Sequence, residues 1–428
     1  MQQDLREYLR LLEAQGQLDR TVSMSREELA VLQYESSRSP RAQLVDRVEG
    51  YHYRFLTNLL ADRDRLAGLL STMAEGLHSR YLELLDKRIP PVTVTDAPVQ
   101  EEVYCGEQVD LYKLPALTFS QEDAGPYITA GLVLASSPEN PERKNVSFHR
   151  MQVQGKRQLG IRLEASSHLL KMYREAAEKS QDLPVAIAIG CHPAEVVAAG
   201  ASLSYGEDEL GLAGAIRGEA VETIPGITVD VRVPAQAEIV IEGFIPADAM
   251  EVEGPFGDFQ GVYVDPGKNH MVRVSAITRR REAPIFQSIR AGSLEDALLL
   301  GLAREVQLFK TLQEAGHQVQ GINLSPMVFN GAISFDKRYE GEPEEVFRLA
   351  FTTYPWLKYL VVTDTDVNIY DLQDVWWAMA VRSDPATLKS TTEYPGFARD
   401  PHGVHTGKAG IDATVPLAAR NAFRRARP

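Results

Sequence analysis

Glu253-Gly254-Pro255-Phe256-Gly257-Asp258, followed by Gly261 and Tyr263, is the stretch on which the reading of this chain turns. Pro255 fixes its own φ and biases Gly254 away from helix. The glycines let the backbone come close to something flat. On a helix, positions i and i+5 fall on different faces, so Glu253 and Asp258 share a task only across a tight loop. The plain reading is an exposed acidic turn. The sharper one is a carboxylate pair for acid–base chemistry, one member held ionised and the other raised in pKa to donate a proton. The flanking chain decides between them.

From about 100 to 290 the texture is that of strands. Ile128–Ala135, Val146–Gln154, Gln158–Arg162, Val185–Gly190, Thr228–Val233, Glu238–Phe244 and His270–Thr278 are short β-rich runs bounded by Gly, Pro or Asn. Helices near 168–179 and 193–200 interrupt them, the second begun by His192-Pro193. This predicts a closed or split β-barrel with helices packed on it, a shape able to hold a planar cofactor. Ahead of it, residues 4–15 place Leu5, Leu9 and Leu12 at helical spacing and Gly16 ends the helix. Further helices at 26–36 and 61–86 and strands near 42–46 and 53–57 make an amino-terminal α/β layer that ends at Pro90-Pro91. After 293 the pattern runs helix 295–315, strand 320–334, helix 342–353, strand 358–364, helix 371–381, an α/β layer domain. Gly396, Gly403, Gly407 and Gly410 mark a loop-rich tail before a basic helix near 416–426. Trp376 and Trp377 read as core or interface. The fold class is therefore mixed α/β in three domains: 1–100, 101–292 and 293–428.

A length of 428 residues leaves room for that organisation, and 44% hydrophobic with 24% charged residues is ordinary for a globular protein. The net charge of −14 argues against a general nucleic-acid or anionic-membrane binder. Cys105 and Cys191 alone support neither a disulfide framework nor a thiolate zinc cluster, which fits a reducing cytoplasm. Neither a signal peptide nor a membrane span is read. Dinucleotide and phosphate-loop glycine motifs and a serine nucleophile elbow are absent from the sequence.

Several groups precede the carboxylate pair. Alternation would place Asn145 and Arg150 on opposite faces of one strand, so Asn145 is expected in the preceding turn. Arg150, with Val146 and Phe148, lies on an apolar face where a lone guanidinium is costly; it serves either a structural salt bridge or a cofactor-side role. Arg162 ends the next strand. Ser166-Ser167-His168 starts a helix whose serines serve as caps or whose N–H groups hold a phosphate. Glu209 lies in the run Glu207-Asp208-Glu209, read as a solvated charge cluster or as a ligand. Asn145, His168 and Glu209 together offer a mixed O/N set suited to Mn²⁺ or Mg²⁺ rather than zinc.

The chain resembles the UbiD family of decarboxylases. The matching stretches are Leu5–Leu9, Pro98–Gln100, Val109–Leu111 with Leu114-Pro115, Tyr127–Gly131, Pro184–Gly190, Ala213–Glu219, Val233–Ala235, Glu238–Gly243, Glu253–Asp258, Asp374–Arg382 and Lys408–Thr414. The resemblance implies an amino-terminal α/β domain, a central split β-barrel and a carboxy-terminal α/β domain. It implies prenylated FMN, with Mn²⁺ or Mg²⁺ against its phosphate and K⁺ as a further ion. By position, Asn145, His168 and Glu209 are the metal ligands, and Phe148, His149, Arg150, Arg162, Leu163, Ser167 and His168 contact the flavin. Arg150, Glu253 and Asp258 match the family's Glu-Arg-Glu constellation, with Asp in the last place.

The activity that the resemblance implies is non-oxidative, reversible decarboxylation of an aromatic, heteroaromatic or α,β-unsaturated acid. The resemblance implies too a flavin prenyltransferase as supplier of the cofactor and a homodimer or larger assembly of the chain. Arg304, on the helix after 295, reads as a surface salt bridge or as a contact to a second substrate carboxylate. A carboxylase, or a non-catalytic assembly paralogue, is the alternative; the latter would be marked by loss of Arg150 or the carboxylates.

Overall fold

The computed structural model describes residues 4–265, 267–325, 327–391 and 407–426. Contacts group the chain into two units, Met1–Ser71 with Leu84–Asp296 and Thr72–Glu83 with Ala297–Pro428.

In the first unit, Asp4 caps the helix Leu5–Ala14, whose buried stripe is Leu5, Tyr8, Leu9 and Leu12. Strands Leu18–Thr21, Ala42–Val45 and Arg54–Thr57 form a sheet completed by Ile285–Gln287, which pairs in parallel with Arg54–Thr57. The amino-terminal layer and the far end of the strand-rich region thus share one sheet. Arg6 adds a bidentate pair, both bonds 2.7 Å, to the fully buried Glu238. The expected helix 61–86 is instead two, Arg63–Leu69 and Leu77–Asp86, because Ser71 turns left-handed (φ 58°) after the first.

The large sheet runs in the order Tyr127–Ile128, Met151–Gly155, Gln158–Ile161, Gly267–Arg279, Ile239–Ile245, Leu183–Ile189, Leu132–Ser136, Lys144–Phe148. Met250–Glu253 and Glu102–Cys105 also pair with the long strand Gly267–Arg279. Val185, Ile187, Ile189, Ile239, Ile241 and Val272 belong to the buried core. The strand at one end of this path, Lys144–Phe148, is joined to Met151–Gly155, next to the other end, by His149 and Arg150 alone. Three residue steps reach only ~10 Å, so the sheet must curl until its ends nearly meet. No ladder closes that seam among the described residues: the barrel is split, not closed.

Three expectations change here, the first being that the run Ile128–Ala135 is two strands, Tyr127–Ile128 and Leu132–Ser136. The run Val146–Gln154 is two strands, and Asn145 lies inside the first, opposite Ala135, rather than in the preceding turn. The expected strand Thr228–Val233 shrinks to Arg232–Pro234, because the buried Glu242 carboxylate captures the Ile227 and Thr228 N–H groups at 2.8 and 2.6 Å. A helix that the sequence hid, Glu209–Arg217, contains Gly214; a Cβ there would lie 2.5 Å from the Ile89 carbonyl oxygen.

The second unit has a five-stranded sheet in the order Val319–Asn323, Asn330–Phe335, Tyr359–Thr363, Lys408–Ala413, Lys389–Thr391, with helices Glu342–Thr353 and Leu372–Arg382 packed on it. The expected strand 320–334 is two: Asn323 Oδ1 takes the Ser325 N–H in a turn that ends the first. Gly396 and Gly403 lie outside the described residues. The basic helix expected near 416–426 is a single 3₁₀ turn, Leu417–Ala419. Its arginines are drawn sideways instead, Arg420 to the Lys337 carbonyl and Arg425 to Asp374. Trp376 is 68% exposed, whereas the Trp377 ring carries the Arg382 and Arg425 guanidinium groups. Among the described residues no helix is long and apolar enough to cross a membrane.

Candidate functional site

Glu253 ends its strand opposite Gly267, and the chain then turns through Gly254–Gly257. The two glycines answer a close approach to neighbouring protein. A Cβ on Gly254 would lie 2.4 Å from the Ala124 Cβ, and one on Gly257 2.8 Å from the Ser120 Oγ. The turn at 119–124 is itself locked by Asp123, whose carboxylate accepts N–H bonds from Phe119, Ser120 and Gly257 at 3.0, 2.9 and 2.8 Å.

Glu253, 1% exposed, accepts the Arg150 Nε at 2.7 Å on one oxygen and the Asn269 Nδ2 at 2.6 Å on the other. Arg150 comes from the two-residue link across the barrel seam, so its guanidinium enters where the sheet leaves a gap. It lies 4.8 Å over the Phe256 ring, and its buried Nη2 has no partner. Tyr127 packs on the same ring at 4.6 Å, and its buried hydroxyl is likewise unpartnered. Asp258 is buried, with Oδ1 taking the Phe259 N–H at 2.8 Å. Near it, Asp296 accepts the Gly292 N–H at 2.7 Å; burial first, then the Asp258 charge, push its carboxyl up to about 7. Carboxyls and an arginine with spare hydrogen-bonding capacity can bind an anion and move a proton.

A second cluster lies on the strand Lys144–Phe148. Glu209, at the first turn of its helix, is buried and takes the Val146 N–H at 2.7 Å, the residue after Asn145. Burial, with smaller contributions from Asp208 and Glu207, pushes the Glu209 carboxyl up to about 8. Asn145 Nδ2 donates to Ser147 Oγ at 2.8 Å, Ser147 donates to His149 Nε2 at 3.0 Å, and His149 Nδ1 donates to the Arg162 carbonyl at 2.7 Å. Because a carbonyl only accepts, this chain of donors has one direction, and it leaves the Asn145 amide oxygen for something else.

His168 opens the helix His168–Ala177, capped by Ser167, and sits edge-on to Tyr205 at 5.4 Å. Burial, then Lys171, lower its pKa, which favours the neutral imidazole a metal needs. Both helices pack on the strand bearing Asn145. Among the described residues no three His, Cys, Asp or Glu side chains form a metal centre; this set rests on an amide with one carboxylate and one imidazole. The buried Glu209 carboxylate, fastened to the residue after Asn145, and the Asn145 amide oxygen are ligand types that suit a divalent cation.

Of the remaining expected residues, Phe148 ends its strand opposite Leu132, Arg162 follows Ile161 and meets Glu164 at 3.3 Å, and Leu163 is in the core. Arg304 bonds Gln307 on its own helix at 3.5 Å. Asn269, Ser147, Tyr127, Asp123 and Asp296 were not expected at the site. Asn269 carried no signal, since its strand also holds Lys268, His270, Arg273, Ser275 and Thr278.

Residues 91–294 match the model of the UbiD 3-octaprenyl-4-hydroxybenzoate carboxy-lyase Rift-related domain, and 297–413 that of its C-terminal domain. Over 383 residues, 87% of each chain, the sequence is 32% identical to anhydromevalonate phosphate decarboxylase of Methanosarcina mazei. The fold is similar to an evolved dimeric form of the UbiD-class enzyme HmfF from Pelotomaculum thermopropionicum, solved with prFMN. That match has a TM-score of 0.92 and 36% identity, covering 100% of this chain and 97% of that one. It is also similar to a 3,4-dihydroxybenzoic acid decarboxylase from Enterobacter cloacae, with a TM-score of 0.94 and 29% identity over 100% and 97% of the two chains.

Proposed function

The chain belongs to the UbiD family of carboxy-lyases, and on that premise we propose that it decarboxylates an aromatic, heteroaromatic or α,β-unsaturated acid with prenylated FMN and Mn²⁺ or Mg²⁺. The observation that carries this reading is the pair of half-buried Arg150 and buried Glu253, with the Arg150 Nη2 still unbound and Asp258 on the same loop. Bound prenylated FMN supplies an electron sink for the charge left on carbon as CO₂ departs. Arg150 orients the substrate carboxylate. Asn269 and Arg150 together hold Glu253 in place, and Asp258 delivers the proton that replaces CO₂. Asn145, His168 and Glu209 hold the metal, while Phe148, His149, Arg162, Leu163 and Ser167 line the flavin.

The same groups serve the reverse direction under high bicarbonate. A flavin prenyltransferase as cofactor supplier, a homo-oligomeric state, a cytoplasmic location and the three-domain division 1–100, 101–292 and 293–428 belong to the same proposal. The test is co-production with a flavin prenyltransferase and a screen of acids for CO₂ release, including 3,4-dihydroxybenzoate and anhydromevalonate phosphate. Release is expected only from protein made with the prenyltransferase. Robust turnover with unmodified FMN would overturn the reading.

A further inference from the structure

We propose that the Tyr127 hydroxyl is a substrate-binding group that donates a hydrogen bond to the reacting carboxylate beside Arg150. The proposal rests on the decarboxylase function and adds a residue to it.

Tyr127 is fully buried, and its hydroxyl has no partner. Buried polar groups are nearly always satisfied, so an orphan of this kind calls for a missing partner. Its place narrows what that partner is. The strand Tyr127–Ile128 pairs with Met151–Gly155 so that Tyr127 stands opposite Gln152, two residues beyond Arg150. Its ring leans at 51° on Phe256, and the Arg150 guanidinium covers the same ring. Two buried donors, Tyr127 Oη and Arg150 Nη2, are thus held by one aromatic side chain and are both unused.

The protein's own anions nearby are already engaged. Glu253 holds one donor on each oxygen, and Asp123 is occupied by three backbone N–H groups. Burial, then the charge of Glu253, raise the Tyr127 pKa, so the phenol stays protonated and remains able to donate. An acceptor with two oxygens and a negative charge completes the set, and a carboxylate is the group that offers both.

The chemistry sets what the bond does. During decarboxylation negative charge leaves the carboxylate, so a donor to it is held more tightly in the ground state than in the transition state. Losing the bond therefore raises KM without lowering kcat. Packing alone predicts something else: a hydroxyl with no partner can be deleted without effect on KM.

The variant is Tyr127→Phe in holoenzyme produced with the prenyltransferase, assayed on the acid that the screen selects, with benzoate as a competing carboxylate. KM and the benzoate Ki should both rise about ten- to a hundred-fold, the range for a hydrogen bond to a charged group. Flavin content, Tm and kcat should not fall. Unchanged KM and Ki, with Asp258→Asn inactive, would overturn the proposal and leave the decarboxylase reading standing. Loss of flavin or a lower Tm in Tyr127→Phe would also overturn it, since the hydroxyl would then serve the cofactor or the fold. If Asp258→Asn and Tyr127→Phe both turn over like the parent, the site reading itself falls.

Discussion

Asn269 Nδ2 and Glu253 Oε2 meet at 2.6 Å, on a carboxylate whose other oxygen Arg150 already holds. Asn269 is a buried amide on the long central strand, and its partner ends the neighbouring strand. Asn269→Ala removes a hydrogen bond to a charged group, worth about 1.5–3 kcal/mol. CO₂ release should fall about ten- to a hundred-fold while bound flavin, measured by absorbance, is retained.

Asp258 is the proposed proton donor, and Asn in its place keeps size but cannot cycle a proton. Turnover of Asp258→Asn should drop by about 10²–10⁴-fold, the usual share of general acid catalysis. Solvent hydrogen exchange into the product should fall with it. Asp258→Glu should retain measurable activity. Near-parental exchange in Asp258→Asn would move the donor elsewhere, with Glu253 next in line.

The proposed metal ligands depend on a support that can be cut separately. Glu209→Ala should lower Mn²⁺ content and flavin occupancy together. Ser147→Ala should do so more mildly, by freeing the Asn145 amide to rotate. Metal analysis and flavin absorbance on the same samples check both. A full complement of each in Glu209→Ala would remove that residue from the ligand set.

Asp296 gives a pH signature. Its carboxyl is pushed up to about 7 from an ordinary value of 3.8. A raised folded pKa means the folded protein holds a proton that the unfolded chain has released. The associated stability is complete below pH 3.8 and is lost as pH rises through about 7. Glu195 and Glu295 also sit at about 7, so the reference must be Asp296→Asn. The parent's Tm relative to this variant should decline between about pH 4 and 8; a flat difference would show that Asp296 does not carry the shift.

How far the sequence could be read varies by element. Leu5–Ala14, Leu183–Ile189, Leu294–Glu314 and Glu342–Thr353 follow from periodicity and caps, because local patterning and burial agree there. The helix Glu209–Arg217 escaped, since two glycines and an acidic run obscure a segment that close packing on Ile89 demands. The break at His149–Arg150 was invisible for a different reason: only the curl of the whole sheet requires it. The sequence pointed to Arg150 and Glu253 as members of one site. Asn269, Ser147 and Tyr127 take their places through strand register. Asn269 stands opposite Glu251 on the neighbouring strand, Tyr127 opposite Gln152 at the seam, and Ser147 opposite Val133.

The two-residue link across the barrel seam also bears on how the protein folds. Strands Lys144–Phe148 and Met151–Gly155 are neighbours in sequence but lie near opposite ends of the sheet path, separated by strands drawn from residues 132 to 279. Arg150 reaches Glu253, 103 positions along the chain, once Gln158–Ile161 and Gly267–Arg279 have docked between their strands. Loop-closure entropy must be met before such distant pairings give anything back, so the guanidinium–carboxylate contact forms only after a long loop has closed. A chain still missing its closing strands would carry most of its secondary structure and none of this site.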